Sequence, residues 1–128
     1  MSYYINKIIS SDFDTAIKKV TENLKSEGFG ILTEIDIKET FKKKLDVDFR
    51  KYKILGACNP PNAYKALLDE PYIGLMLPCN IVIQETVDGK VDVSAVDPQA
   101  SMQAVNNPEL AEVAGEIKTK LERVIKSL

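Results

Sequence analysis

The sequence predicts an α+β fold: a mainly antiparallel sheet of four to five strands, with helices packed on one face and a long amphipathic C-terminal helix. Strand-like and amphipathic helical runs alternate through the first half of the chain. In the second half, Asp88-Gly89 separates two runs of alternating apolar and polar residues, which indicates a β-hairpin. Residues 109–128 then repeat apolar residues at helical spacing, which predicts the C-terminal helix.

The first three elements are predicted as strand, helix and strand. Residues 2–9 are rich in Tyr and Ile, which favour strands. Ser11 or Asp12 is expected to cap the helix that follows. Its buried stripe consists of the apolar residues at helical spacing, Phe13, Ile17, Val20 and Leu24. Gly28 ends this helix, because glycine adopts the left-handed conformation common there, and residues 29–35 form the next strand.

The middle of the chain continues with helix, strand and helix. Asp36 is expected to cap a helix over residues 37–45, whose apolar residues lie four apart. A strand over residues 49–55 follows, with alternate side chains on opposite faces. A third helix is predicted over residues 60–68.

Two hairpin strands, over residues 80–86 and 90–96, precede the C-terminal helix. Three Asx-Pro dipeptides are each expected to start a helix, because Asn or Asp is a good cap and proline is tolerated at the first helical position. They are Asn59-Pro60, Asp97-Pro98 and Asn107-Pro108. The short connections predict a single domain over residues 1–128.

The composition limits the classes of protein that this chain can be. Hydrophobic residues make up 45% of the 128 residues, enough for a core without a disulfide or a metal. A net charge of −2 argues against a globally basic nucleic-acid binder. No apolar run approaches the ~18 residues that predict a membrane span. Two cysteines without a secretory signal predict free thiols and a cytoplasmic location.

Two Cys-Asn pairs, Cys58-Asn59 and Cys79-Asn80, are the most chemically specific feature of the sequence. Cys58 is expected at a strand end just before a helix N-terminus, where the helix dipole stabilises a thiolate and lowers its pKa. Cys79 is expected near the start of the first hairpin strand. Free cysteines are also often buried as small hydrophobic side chains, so inert packing is the competing interpretation for both.

The sequence lacks the residues that several common thiol-dependent and metal-binding sites require. The chain contains no histidine, which removes Cys-His dyads, serine triads and His-based metal sites. It also contains no Cys-x-x-Cys motif of the thioredoxin type. Two cysteines supply only half of a tetrahedral zinc shell, so no metal or other cofactor is predicted.

A basic segment over residues 38–53 stands out in a chain whose net charge is negative. Its lysines and Arg50 outnumber its acidic residues. Arg50 is the best candidate in it for a bidentate contact with a phosphate or carboxylate, because its guanidinium presents paired donors. The competing interpretation is a solvated helix face that serves solubility.

A set of short motifs extends over nearly the whole chain. They are residues 27–30, 33–36, 44–45, 48–50, 52–60, 63–64, 77–80 and 97–98, together with Gly74. The run over residues 54–60, followed by Leu-Pro-Cys-Asn at 77–80, is the most specific combination. The motifs resemble the bacterial and archaeal family called domain of unknown function 302. This resemblance implies a compact α+β fold that assembles as a homodimer, and it implies no established activity.

The leading hypothesis for function is a homodimer that binds a small polar or anionic ligand near the two Cys-Asn pairs. Asparagine offers donors and acceptors that can orient such a ligand. The predicted ligand-binding residues are Cys58, Asn59, Cys79, Asn80, Arg50, Tyr52, Tyr64 and Glu34. No nucleic-acid or membrane partner is predicted.

Three alternatives remain open at this point. The first is a thiol-dependent enzyme or redox protein that uses Cys58 as its nucleophile or redox centre. The second is a metal site that cysteines of two subunits share. The third is a structural or interaction module whose C-terminal helix binds a partner.

Overall fold

The computed structural model describes residues 2–128, so Met1 of the predicted domain lies outside the described residues. The described strands are β1 (Tyr4–Ile9), β2 (Gly30–Asp36), β3 (Tyr52–Cys58), β4 (Cys79–Glu85) and β5 (Val91–Val96). All neighbouring strands are antiparallel, in the order β1-β5-β4-β3-β2, so β1 and β2 are the edges. The predicted antiparallel sheet is confirmed, with five strands.

Helices pack mainly on one face of this sheet. They are α1 (Phe13–Ser26), α2 (Ile37–Leu45), α3 (Pro60–Asp69), α4 (Pro98–Ser101) and α5 (Leu110–Lys126), with 3-10 turns over Pro71–Met76 and Gln103–Val105. α1 contacts β2 and β4, α5 contacts β1 and β5, and α3 and α4 pack against α5. The predicted α+β class and long C-terminal helix are therefore confirmed. Among the helices of the described residues, none is long and apolar enough to cross a membrane.

Side-chain alternation divides the sheet into two faces. The face beneath the helices carries core residues such as Leu55, Ile81, Ile83, Val91 and Val93, all of which are buried. The alternate residues of the same strands lie on the other surface, which we call the open face. Its members include Tyr4, Asn6, Ile8, Thr33, Ile35, Tyr52, Ile54, Gly56, Cys58, Asn80, Val82, Gln84, Asp92, Ser94 and Val96, paired across the sheet in register.

Most predicted helix signals act as expected. Asp12 caps α1 by accepting a hydrogen bond from the Thr15 backbone N–H, and Gly28 follows the end of that helix with φ of +84°. The Thr15 hydrogen bonds also lower the pKa of the Asp12 carboxyl. Asp36 caps α2 through the backbone N–H of Glu39 at 2.9 Å. These residues fix where the two helices begin and end.

β3 covers Tyr52–Cys58 rather than the predicted residues 49–55. β2 ends at Asp36, which is opposite Lys53 of β3, and α2 begins at the next residue. The residues before Tyr52 therefore have no β2 strand to pair with. Phe49 packs instead against Phe41 of α2, with the ring centroids 5.2 Å apart.

The third Asx-Pro dipeptide does not start its helix as predicted. α5 begins at Leu110 with Glu109 as its N-cap residue. Asn107 accepts a hydrogen bond from the Glu109 N–H and donates two, to the Asp69 carbonyl and to Glu70 Oε1, each at 3.1 Å. Its amide therefore ties the loop before α5 to the end of α3.

Candidate functional site

A cavity of about 460 Å³ lies on the open face, within the size range of small-molecule sites. Three tyrosines contribute aromatic rings to its lining, Tyr3, Tyr4 and Tyr52. Its polar lining comes from side chains on three adjacent strands, Asn6, Asn80, Gln84, Asp92 and Ser94. The sheet therefore presents a recess with mixed aromatic and polar walls.

A hydrogen-bonded polar cluster forms one side of this cavity. Asn6 of β1 lies opposite Ser94 of β5, and its Nδ2 donates to Asp92 Oδ1 at 2.6 Å and to Ser94 Oγ at 2.8 Å. Ser94 Oγ donates to the same Asp92 oxygen at 3.1 Å. These contacts engage Oδ1 of Asp92 and hold the carboxylate in a fixed orientation.

Arg50 precedes β3 and lies next to the cavity residues Gln84 and Tyr52, outside the lining itself. Its Nε and Nη2 donate to Gln84 Oε1 at 3.0 and 2.9 Å. The guanidinium carbon lies 4.5 Å from the Phe49 ring centroid and 5.5 Å from the Tyr52 ring centroid. Stacking and hydrogen bonding thus hold a positive charge beside the recess.

Asn80 is the polar residue of the cavity whose amide is most available. It lies on β4 opposite Gly56 and is exposed. Within residues 2–128 its side chain makes no hydrogen bond that meets ordinary geometric criteria, so both its carbonyl and its NH2 group can contact a ligand.

The two cysteines lie on opposite faces of the sheet. Cys79 is opposite Ala57 in the β3–β4 register and is buried in the core, only 5% exposed. Cys58 is the next residue after Ala57, so its side chain belongs to the other face, where it is half-buried. Both thiols are free. Burial raises the pKa of the Cys79 thiol to about 11, with a further contribution from neighbouring Cys58.

This pKa predicts a loss of stability at high pH. The unfolded chain releases the Cys79 proton near its ordinary pKa of 9.0, whereas the folded chain holds it until about 11, so stability falls as pH rises through this range. A two-unit difference corresponds to about 2.7 kcal/mol in full, of which about 2 kcal/mol is lost by pH 10.5. Urea unfolding at pH 8 and pH 10.5 measures the loss for the wild type and for Cys79→Ala. Equal losses in the two proteins would contradict the prediction.

Asn59 has a structural role between two helices. It is buried and caps α3, accepting a hydrogen bond from the Asn62 N–H at 3.4 Å. Its Nδ2 donates to the Glu27 carbonyl at 3.3 Å, which links the start of α3 to the end of α1. The side chain is therefore engaged by local backbone and does not line the open-face cavity.

Asn59→Ala should lower the free energy of unfolding by about 2 kcal/mol, because the cap and the link to Glu27 are lost together. Asp12→Ala is the matched control, since Asp12 caps α1 from an exposed position. This control should cost only about 1 kcal/mol. Chemical denaturation of both variants measures the two losses in free energy of unfolding. Equal costs would show that the Glu27 link contributes nothing.

The remaining predicted residues lie elsewhere. Glu34 is opposite Leu55, and its carboxylate pairs with Lys53 at 2.7 Å, which raises the pKa of Lys53. Tyr64 is exposed on α3. Of the predicted residues, Tyr52 and Asn80 line the cavity, and Arg50 lies beside it through its contacts with Gln84 and Tyr52. The structure places the other predicted residues, Cys58, Asn59, Cys79, Tyr64 and Glu34, outside the cavity lining.

Comparisons with known proteins agree with this architecture. A family model described as "Domain of unknown function DUF302" matches residues 5–128. The chain belongs to the DUF302 family. It is also similar to the crystal structure of an uncharacterised conserved DUF302 protein from Bacillus stearothermophilus, with a TM-score of 0.92, 28% identity and 98% of each chain covered. No curated protein matches the chain.

The basic segment of this DUF302 domain is partly neutralised by its own neighbours. Lys42 lies 3.0 Å from the Asp46 carboxylate, and Lys43 lies 3.6 Å from that of Glu39. Lys38 donates to the Phe49 carbonyl at 2.8 Å. These contacts fit the solvated-face interpretation of α2 and leave Arg50 as the basic residue beside the cavity.

Four polar cavity residues of the DUF302 domain were not predicted from the sequence. They are Asn6, Gln84, Asp92 and Ser94. Apolar residues alternate with other residues along β4 and β5, and this alternation could have indicated that Gln84, Asp92 and Ser94 lie on the face opposite the core. Asn6 required the β1–β5 pairing, which joins segments far apart in the sequence.

Proposed function

We propose that this DUF302 domain is a homodimer that binds a small polar ligand in the open-face cavity. The observation that carries the proposal is the recess of about 460 Å³ in which the exposed Asn80 amide and the Asp92 carboxylate share the lining with three tyrosines. Pockets that bind small molecules typically combine apolar and aromatic walls with a few oriented polar groups. This cavity has that composition.

The lining indicates how such a ligand would be held. Asp92 accepts hydrogen bonds and is oriented by Asn6 and Ser94, so it suits a hydroxyl, amide or amine group. The tyrosine rings offer flat apolar surface to the body of the ligand, and the Tyr52 hydroxyl can form a hydrogen bond with it. Arg50, beside the cavity, suits a carboxylate or phosphate. Asn80 and Gln84 lie about 13 Å apart along β4, which limits the ligand to a small molecule.

An antiparallel sheet often exposes one polar face to water without binding anything. Two features favour a ligand here. The Asp92 carboxylate is held by neighbouring side chains, and the guanidinium of Arg50 is stacked on Phe49 and Tyr52. Prepositioned charges of this kind reduce the ordering cost of binding.

A screen of small polar compounds tests the proposal. Compounds that raise the thermal unfolding temperature are titrated against the wild type, Asn80→Ala and Tyr52→Phe. We expect affinity to fall by about tenfold for each variant, as the loss of one hydrogen bond implies. The matched controls are Gln103→Ala and Tyr72→Phe, both exposed outside the cavity. Unchanged affinity in the cavity variants, or loss only in the controls, would reject this site.

A thiol-dependent activity at Cys58 is the second candidate, favoured by the position of this half-buried thiol directly before the N-cap of α3. Alkylation at pH 7.5, followed by peptide mass analysis, measures the rate at each cysteine. The candidate requires Cys58 to react faster than a free thiol of a short peptide. A Cys58 alkylation rate equal to or below that of the peptide thiol would reject the thiol-dependent activity. Cys79, buried and protonated, should react far more slowly.

A further inference from the structure

The outward side of α3 is apolar, although surface helices usually present polar residues there. Tyr64, Leu67 and Leu68 lie at i, i+3 and i+4 and are 69%, 43% and 66% exposed. The opposite side of the helix carries Asn62 and Ala66, which are buried. α3 therefore has large apolar side chains on the side that faces away from the core.

The 3-10 turn after α3 extends this apolar surface. Ile73 anchors the turn in the core, fully buried, and the turn packs against α3. Its outward residues, Tyr72, Leu75 and Met76, are 77%, 84% and 38% exposed. We call the six exposed side chains the α3 patch, which consists of Tyr64, Leu67, Leu68, Tyr72, Leu75 and Met76.

The α3 patch is large enough for a stable protein interface. With about 200 Å² for a fully exposed large side chain, its six members expose on the order of 700 Å². The largest apolar patch on a typical monomer is about 300–600 Å². A standard interface buries about 800 Å² on each partner. The α3 patch is therefore larger than a single protein normally leaves in water.

The chemistry of the patch favours a second copy of the chain over a charged partner. None of its six residues is charged, and nearby Lys65 pairs with Glu112 of α5 at 3.9 Å. The patch therefore offers no net charge to steer an acidic or basic partner. Tyrosine and methionine are enriched at interfaces, and homodimer interfaces are the more apolar kind. A twofold axis would bring the same apolar side chains of two copies together.

We propose that the α3 patch is the homodimer interface, in which α3 and the 3-10 turn of one subunit pack against those of the other. This proposal rests on the homodimer of the proposed function and specifies its interface. The open face is the less suitable surface, because a dimer through it would desolvate Asp92 and Arg50. An interface through the α3 patch leaves the open-face cavity accessible in both subunits.

Sedimentation of the full chain tests the interface. We expect the wild type to be a dimer at micromolar concentration and Leu68→Glu with Leu75→Glu to be a folded monomer, with dimer affinity reduced at least 100-fold. Circular dichroism and urea unfolding verify that the variant folds. The matched control is Ile8→Glu, which places the same charge on the open face at a residue that is 54% exposed. This control should remain a dimer.

Three results would overturn the interface. They are a monomeric wild type, a dimeric double variant, and dissociation by Ile8→Glu alone. Compound binding is measured on the same proteins, so that failure of the interface is distinguished from failure of the ligand site. The double variant should bind cavity compounds with wild-type affinity, because the α3 patch and the cavity share no residue.

Discussion

Gly56→Ala is expected to lower the free energy of unfolding by about 3 kcal/mol. A Cβ at this position would collide with Thr33 Oγ1 and lie 2.7 Å from Pro78 Cγ. Both obstacles belong to side chains packed over β3, and neither is the free end of a long flexible chain. The side chains of Thr33 and Pro78 would therefore have to shift from their packed positions. Urea denaturation of the variant measures the cost.

Gly30→Ala is the matched control for this prediction. Gly30 lies on β2 opposite Cys58, and a Cβ there meets no atom of residues 2–128 within 4 Å. Its substitution should change stability by less than about 1 kcal/mol. Adding Thr33→Ala to Gly56→Ala should recover part of the loss, because the nearest obstacle is removed. Similar costs for the two glycine variants would contradict the proposed crowding at Gly56.

Ile83→Ala should also cost about 3 kcal/mol, because Ile83 is completely buried beneath the helices. The matched control is Ile54→Ala, which removes the same atoms from the open face, where Ile54 is half-buried. We expect the control to cost less than about 1.5 kcal/mol, since much of that side chain already contacts water. Chemical denaturation of the two variants therefore measures which face of the sheet is the core.

If Ile54→Ala destabilised the subunit as much as Ile83→Ala, the open face would be covered in solution. Repeating the measurement at several protein concentrations distinguishes cover by a second copy from cover within one subunit. A cost that rises with protein concentration would indicate an interface through the open face. Such a result would also count against the α3 patch as the dimer interface.

Local signals predicted much of the fold. Asp12, Asp36 and Asn59 all cap the helices that the sequence assigned to them, and Gly28 ends α1 in the left-handed conformation. These outcomes depend on residues close in the chain. The predicted start of β3 was wrong because the true start depends on where the paired strand β2 ends, which local sequence does not show.

The candidate site was less predictable, because it depends on strand order and register. The sequence did not reveal the register of β3 and β4, in which Ala57, rather than Cys58, is opposite Cys79. This single-residue offset places the two thiols on opposite faces. Asn6 reaches Asp92 only because β1 returns to pair with β5. The spacing of the apolar residues in α3 could have indicated an apolar side of the helix. That this side is exposed could be known only from the packing of α3 on α5.

Amide chemical-shift mapping tests the proposed ligand site most directly. The 15N-labelled protein is titrated with the compounds that stabilise it, and the shifted amides are placed on the structure. The proposed site predicts that the largest shifts cluster on β4 and β5, around Asn80, Gln84 and Ser94, with smaller shifts at Tyr52. Shifts that cluster around α4 and the start of α5, or on the α3 patch, would show that the open-face cavity is not the ligand site.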